Sequence, residues 1–204
     1  MSTPRIFGIV LAAGRSTRMG DINKLIKVWN GRPLVAHVVE AAVSSSLAKV
    51  LVVTGHQRET VVQQINKKAM SVHNPDFATG MASSVKVGVN RAGELGADAA
   101  LILLGDMPLV TTGHIDGFIQ TFNAACARSG TAPIVQASLR NKPGNPVLFP
   151  VSLFPELLKL EGDAGARNLI KRHSENRILV EIGEAAARDF DTPEAFDSKL
   201  SGIG

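Results

Sequence analysis

Apolar residues run along this chain in two rhythms. In some stretches they are unbroken: Ile6 to Ala12, Ala48 to Gly55 and Ala99 to Leu104 are each of strand length and lack the alternation of a half-exposed strand. Elsewhere they recur every three or four positions, as in Leu34, Val38 and Ala41 or Ala42 after a turn at Asn30-Gly31, and Val85, Val89 and Leu95 after Gly80. That is the spacing of a helix face packed on a sheet. Met70 to His73, APIVQASL and RILVEI predict further strands. HQRETVVQQINKK predicts a second helix, and TTGHIDGFIQTFNAACARSG one capped by Thr111 or Thr112. Strands alternating with helices predict parallel βαβ units with right-handed crossovers, which put ligand loops at the carboxyl ends of the strands. The expected fold class is α/β, a Rossmann-like, mostly parallel sheet in one domain over residues 1–204.

Where the first strand ends, Ala13-Gly14 reduces side-chain volume to almost nothing just before Arg15, Arg18 and Lys24 arrive. Small residues let a backbone approach a ligand and aim its N–H groups at it, and the three cations neutralise a polyphosphate. A surface turn with solvated arginines is the plain alternative. The glycines, Gly14 and Gly20, make neither GxGxxG nor GxxxxGK[ST], so the dinucleotide fingerprint and the P-loop are both missing. The third apolar run delivers Gly105-Asp106 to the same edge. An aspartate there suits Mg²⁺, which takes few protein oxygens alongside water and phosphate; capping the following turn is the alternative. Gly80 followed by Ser83 and Ser84 at a helix start offers free N–H groups and hydroxyls, or simply a capped helix. Gly144 to Phe149 predicts a turn feeding a strand, and Gly162 to Arg167 a turn before a helix. The Asn145 amide and the Arg167 guanidinium on two glycine-bearing turns suit a large polar acceptor, and are also ordinary turn chemistry.

Composition narrows the partners. With 204 residues, 45 % hydrophobic and 20 % charged, the chain is an ordinary globular sequence. No stretch approaches the roughly 20 apolar residues of a membrane span, and MSTPRIFG enters a strand without a signal-peptide core, so a cytoplasmic protein with no membrane partner is expected. The charge of +4 is spread without a basic run interleaved with aromatics, which argues against nucleic acid and for an anionic small molecule. One cysteine, Cys126, rules out an internal disulfide. His73 and His114 have no partners at zinc spacing, and His37 and His56 stay unassigned.

LAAGRSTRMG with Asn23-Lys24-Leu25, the Gly80 segment, GDMP, GNPVLFP, GDAGAR and DFDTPEAF together resemble the molybdenum cofactor cytidylyltransferases, over nearly the whole chain. LAAG and GDxP recur across the wider superfamily; GDAGAR and GNPVLF are more discriminating. The resemblance implies the three-layer α/β/α nucleotide-diphospho-sugar transferase fold and transfer of CMP from CTP to molybdopterin with Mg²⁺. It implies nucleotide contacts from Leu11, Ala12, Ala13, Gly14, Arg15, Arg18, Lys24, Gly80 and Ser83, with Arg15, Lys24 and Asp106 catalytic. Asp106 and Asp191, the latter in the D-x-DTP pattern, would hold the metal; Ser84, Asn145, Gly165 and Arg167 would face the acceptor, and a molybdoenzyme would receive the product. Related guanylyltransferases usually show LAGG, so Ala13 favours cytosine, while Ser16 stands where many relatives have glycine.

Little proton transfer is needed when an acceptor phosphate attacks the α-phosphorus of a triphosphate; positioning and charge neutralisation suffice. The lack of a catalytic triad fits that chemistry. The alternatives are GTP as donor, another phosphorylated acceptor, or a non-catalytic carrier of the nucleotide or finished cofactor. Intact Asp106 and Lys24 weigh against the carrier, since a mere binder can lose either.

Overall fold

The computed structural model describes residues 3–15, 23–162 and 166–187. Its strands are β1 (Ile6–Ala12), β2 (Val28–Trp29), β3 (Arg32–Pro33), β4 (Lys49–Thr54), β5 (Met70–His73), β6 (Ala99–Leu104), β7 (Ile134–Leu139), β8 (Lys142–Pro150) and β9 (Arg177–Glu181). The helices are α1 (Leu34–Val43), α2 (Arg58–Gln63), α3 (Met81–Glu94), α4 (Thr112–Ser129), α5 (Phe154–Leu157) and α6 (Arg167–Arg172). Seven strands form one sheet in the order β5-β4-β1-β6-β8-β7-β9. β4, β1 and β6 are parallel neighbours, and β8 alone runs against β6 and β7.

The unbroken apolar runs are explained by layers on both faces. Ile6, Val10 and Ala12 turn to one side, where α1 and α4 supply Val35, Val38, Phe118 and Phe122. Phe7, Ile9 and Ala13 turn to the other, against Val85 and Val89 of α3, Phe154 and Leu157 of α5, and Leu169 of α6. With period-two side chains buried both ways, a central strand needs apolar residues at every position. Burying each such side chain contributes about 1.5–3 kcal/mol, which fixes the register of β1 and thereby where its carboxyl end lies. The fold is the expected three-layer α/β/α architecture.

Helix ends follow the local chemistry. Thr111 caps α4, accepting the His114 N–H, while the His114 ring accepts the Thr111 N–H; burial of that ring lowers its pKa. His37 is structural: its Nε2 lies 2.7 Å from the Trp29 carbonyl and its ring meets the indole edge-on. Cys126 is half-buried, and desolvation pushes its thiol pKa up.

Two expectations are corrected. The second helix stops at Gln63 rather than running through the lysines. The turn expected at Gly144-Asn145 lies instead at Arg140-Asn141, and Gly144 to Phe149 is all strand. Arg140 and Asn141 both take the left-handed conformation, φ 50° and 64°, as a two-residue hairpin requires. Glycine is the usual signal for that turn, and Arg-Asn does not announce it. Glu181 stabilises the turn instead: its carboxylate accepts the N–H of Arg140 at 3.0 Å and of Asn141 at 3.4 Å, with the Ser138 hydroxyl at 3.0 Å. Those donors, the Arg140 N–H foremost, hold its pKa below the usual carboxylate value.

Candidate active site

Parallel pairing brings three strand ends level: Leu11 lies opposite Leu104, and Ala12 opposite Thr54. Beyond them come Ala13-Gly14-Arg15, Gly55-His56 and Gly105-Asp106. Ala12 and Ala13 are buried and Gly14 and Arg15 exposed, so the chain leaves the core within one residue. Backbone hydrogen bonds tie these ends together. Gly105 N–H donates to the Leu11 carbonyl at 3.0 Å, His56 N–H to Ala13 at 3.2 Å, and Asn74 N–H to Thr54 at 2.8 Å.

Lys24 opens a short 3₁₀ turn, Lys24–Ile26, whose preceding Asn23 accepts the Leu25 N–H on its side-chain oxygen at 3.1 Å. Leu25 is buried against Gly105: its Cδ2 would lie 3.3 Å from a Cβ there. That docking carries the Lys24 ammonium onto Asp106 Oδ2 as an ion pair, each side chain 15 % exposed. The other oxygen, Asp106 Oδ1, is buried without a hydrogen-bond partner among the described residues. A buried acceptor left unmatched costs about 1–3 kcal/mol. A carboxylate oxygen with no partner among the described residues, on the aspartate that pairs with Lys24, fits a hard divalent ion, which needs only one or two protein carboxylates.

The α3 entrance forms the neighbouring wall. Gly80 has φ 115° and ψ 171°, a backbone region that side chains disfavour. The helix start is less free than the sequence suggests: Ala82 N–H donates to the Gly162 carbonyl at 3.1 Å, and Ser83 N–H to Gly80 at 3.2 Å. Ser83 is half-buried and Ser84 buried, both accepting from the Asn74 amide. A groove of about 490 Å³ opens beside them, lined among others by Asp76, Ser83, Lys86 and Glu161.

β8 runs against β6 with Ile102 opposite Val147, the last pair of their register, and Asn145 comes two residues earlier in β8. Its neighbour Gly144 is pressed against the turn Gly183–Ala186, where a Cβ would come 2.1 Å from the Ala186 carbonyl oxygen. Arg167 is exposed at the first position of α6. The structure thus joins Lys24 to Asp106 and sets both beside Leu11 to Arg15; it gives no contact from Arg167 to this pair. Arg18, Gly165 and Asp191 lie outside the described residues. Two residues given no site role from the sequence are Gly55, wedged between Ala13 and Phe77, and Asn74, just after β5.

A mostly parallel sheet presenting a small-residue backbone, a cation and a carboxylate at one edge defines a nucleotidyltransferase-type α/β domain. The chain belongs to the MobA-like NTP transferase domain family, whose pattern matches residues 8–177. It is 31 % identical to the purine catabolism protein PucB of Bacillus subtilis (strain 168), over 97 % of each chain. It is 37 % identical to the bifunctional protein GlmU of Sinorhizobium fredii over 50 % of its own length, spanning only 23 % of that protein. Among solved structures it resembles Rv0371c of Mycobacterium tuberculosis H37Rv, with TM-score 0.83 and 23 % identity over 97 % of this chain and 98 % of that one. The manganese complex of Rv0371c superposes with TM-score 0.79 at 22 % identity, covering 98 % of this chain and all of the other. At that identity the likeness carries the fold.

Proposed function

We propose that this protein transfers CMP from CTP to the phosphate of a molybdopterin-type acceptor, releasing pyrophosphate. The observation that carries nucleotidyl transfer is the ion pair of Lys24 with Asp106 beside the Ala13-Gly14-Arg15 turn, formed by residues 82 apart in sequence. In this reading the Gly14 backbone, Arg15, Arg18 and Lys24 bind the triphosphate and take up charge as the leaving group departs. Asp106, through the oxygen that has no partner among the described residues, and Asp191 would hold Mg²⁺, which when bound neutralises phosphate charge; the manganese complex of a fold relative is in keeping with such a site. Gly80 and Ser83 flank the nucleoside. Ser84, Asn145, Gly165 and Arg167 are proposed for the acceptor side, with Ser84 acting from beneath the surface because its hydroxyl is buried. The choice of CTP rests on Ala13, and that of molybdopterin on the GDAGAR and GNPVLF motifs. A cytoplasmic location and hand-over to a molybdoenzyme belong to the same reading.

The test is to incubate the protein with Mg²⁺, molybdopterin and each of the four triphosphates in turn, and measure pyrophosphate. Release with CTP alone supports the proposal. Release with GTP, or only with another phosphorylated acceptor, reassigns the substrate; none with any acceptor favours a carrier.

A further inference from the structure

Lys24 and Asp106 meet as one ammonium on one carboxylate oxygen, Oδ2. The backbone is anchored on both sides of the pair. Asn23 and Leu25, which flank the lysine, are 1 % and 4 % exposed, and the Leu25 N–H is held by the Asn23 side chain. Gly105, just before the aspartate, donates its N–H to the Leu11 carbonyl. What is left to move is the flexible four-carbon stem of Lys24.

The ion pair closes the carboxylate. Lys24 covers Oδ2, and Oδ1 is buried away from solvent, with no hydrogen-bond partner among the described residues. Neither oxygen is open to an ion arriving from solution. Charge closes it as well, because a divalent cation on this carboxylate has to share it with an ammonium, and like charges that near repel. Among the described residues, no three His, Cys, Asp or Glu side chains gather where they could hold a metal ion. A divalent ion arriving alone therefore has little with which to displace the lysine. A triphosphate has more: it draws the ammonium off by charge and supplies oxygens of its own to the ion.

We propose that Lys24 is the resident counter-cation of Asp106: it keeps a divalent ion off the carboxylate while the site lacks a nucleotide, and uncovers that carboxylate when a triphosphate draws the ammonium away. This rests on the metal and triphosphate roles given to the two residues above and is independent of the acceptor. Lys24 thereby sets the order of binding, in which the ion enters with the nucleotide and not before it.

The test is Mn²⁺ binding to the full chain without nucleotide, read from the electron paramagnetic resonance signal of the free ion. Wild-type protein is expected to bind it weakly. Lys24→Met, which removes the charge and keeps a stem, is expected to bind it at least about ten-fold more tightly, since an adjacent cation weakens a carboxylate's hold on a proton by about ten- to a thousand-fold. Lys24→Gln should do the same, and serves if the methionine variant does not fold. Lys24→Arg keeps the charge and with it the weak binding of wild type. In the double variant Lys24→Met, Asp106→Asn the gain disappears. Mn²⁺ binding no tighter in either uncharged variant than in wild type, or a gain shared by Lys24→Arg, would overturn the proposal without touching the metal role of Asp106. A gain that survived Asp106→Asn would overturn both.

Discussion

Replacing Gly55 with alanine probes how tightly the edge of the sheet is built. A Cβ at that position would come 2.5 Å from the Cβ of Phe77, 2.7 Å from its Cγ and 2.9 Å from the Cβ of Ala13. All three lie well inside van der Waals contact, and none is the tip of a flexible side chain. Ala13 is the last buried residue before the exposed Gly14-Arg15 turn; Phe77 begins the short turn Phe77–Thr79 that leads into Gly80. One methyl group therefore pushes the Gly14 side of the site and the α3 side apart. Overpacking of this kind costs about 1–3 kcal/mol, which for a chain of this size lowers the melting temperature by about 2–12 °C.

Strain and the loss of a useful contact are separated by a second substitution. Phe77→Ala alone removes a half-buried ring at about 2 kcal/mol, but in the Gly55→Ala background it also makes room for the methyl. The double variant should then lose at least 1 kcal/mol less than the sum of the singles. Thermal melts of the four proteins, run with CTP titrations, provide the readout. If Gly55→Ala melts within 1 °C of wild type, or the two losses simply add, then Gly55 is not the spacer between these walls.

Three further outcomes are expected. Lys24→Met and Asp106→Asn each lower kcat/KM of nucleotidyl transfer by about 10²–10³-fold, and the double variant is little worse than either single because the two act as a unit; multiplied losses in a pyrophosphate-release assay would contradict that coupling. Gly144→Ala drives a methyl into the Ala186 carbonyl and should cost upward of about 1–3 kcal/mol, with faster amide exchange at 183–187; unchanged exchange there would show that the contact is unimportant. Glu181 has its folded-state pKa depressed by the Arg140 N–H and its other donors, so its contribution exists above the unfolded value of about 4.3 and is lost as pH falls through the folded one. Glu181→Gln should therefore lower the melting temperature at pH 7 and make little difference at the acid end of that window; an equal deficit at both would refute the linkage.

How much of this was legible in the sequence follows from where each signal resides. β1, β4 and β6 announce themselves because burial on both faces demands unbroken apolar runs, and the residues just beyond them, Gly14 and Asp106, inherit their positions from the parallel register. The Arg140-Asn141 turn was hidden because the Glu181 carboxylate that stabilises it comes forty residues later. Asn74 is inconspicuous for the same reason: its backbone N–H goes to Thr54 and its side-chain amide to Ser83 and Ser84, and nothing in the local pattern says that they meet on one residue.

Two kinds of connection hold this edge, and they differ in what they tolerate. Leu11, Ala13 and Thr54 are held by backbone carbonyls accepting N–H groups from neighbouring segments, at 3.2 Å or less. Such bonds are indifferent to side-chain identity and sensitive to any added volume between the strands. Lys24 with Asp106 and Asn74 with Ser83 are side-chain bridges, tolerant of small shifts and intolerant of altered charge or hydrogen-bonding pattern. Added methyl groups at Gly55 or Gly144 should thus damage stability and ligand binding together. Isosteric changes that alter charge or donor pattern at Lys24, Asp106 or Asn74 should damage binding or turnover well before the fold. A variant series that mixed those two outcomes, with Gly55→Ala fully stable but inactive or Asp106→Asn unfolded but competent to bind, would mean that the backbone and the side chains had exchanged these roles.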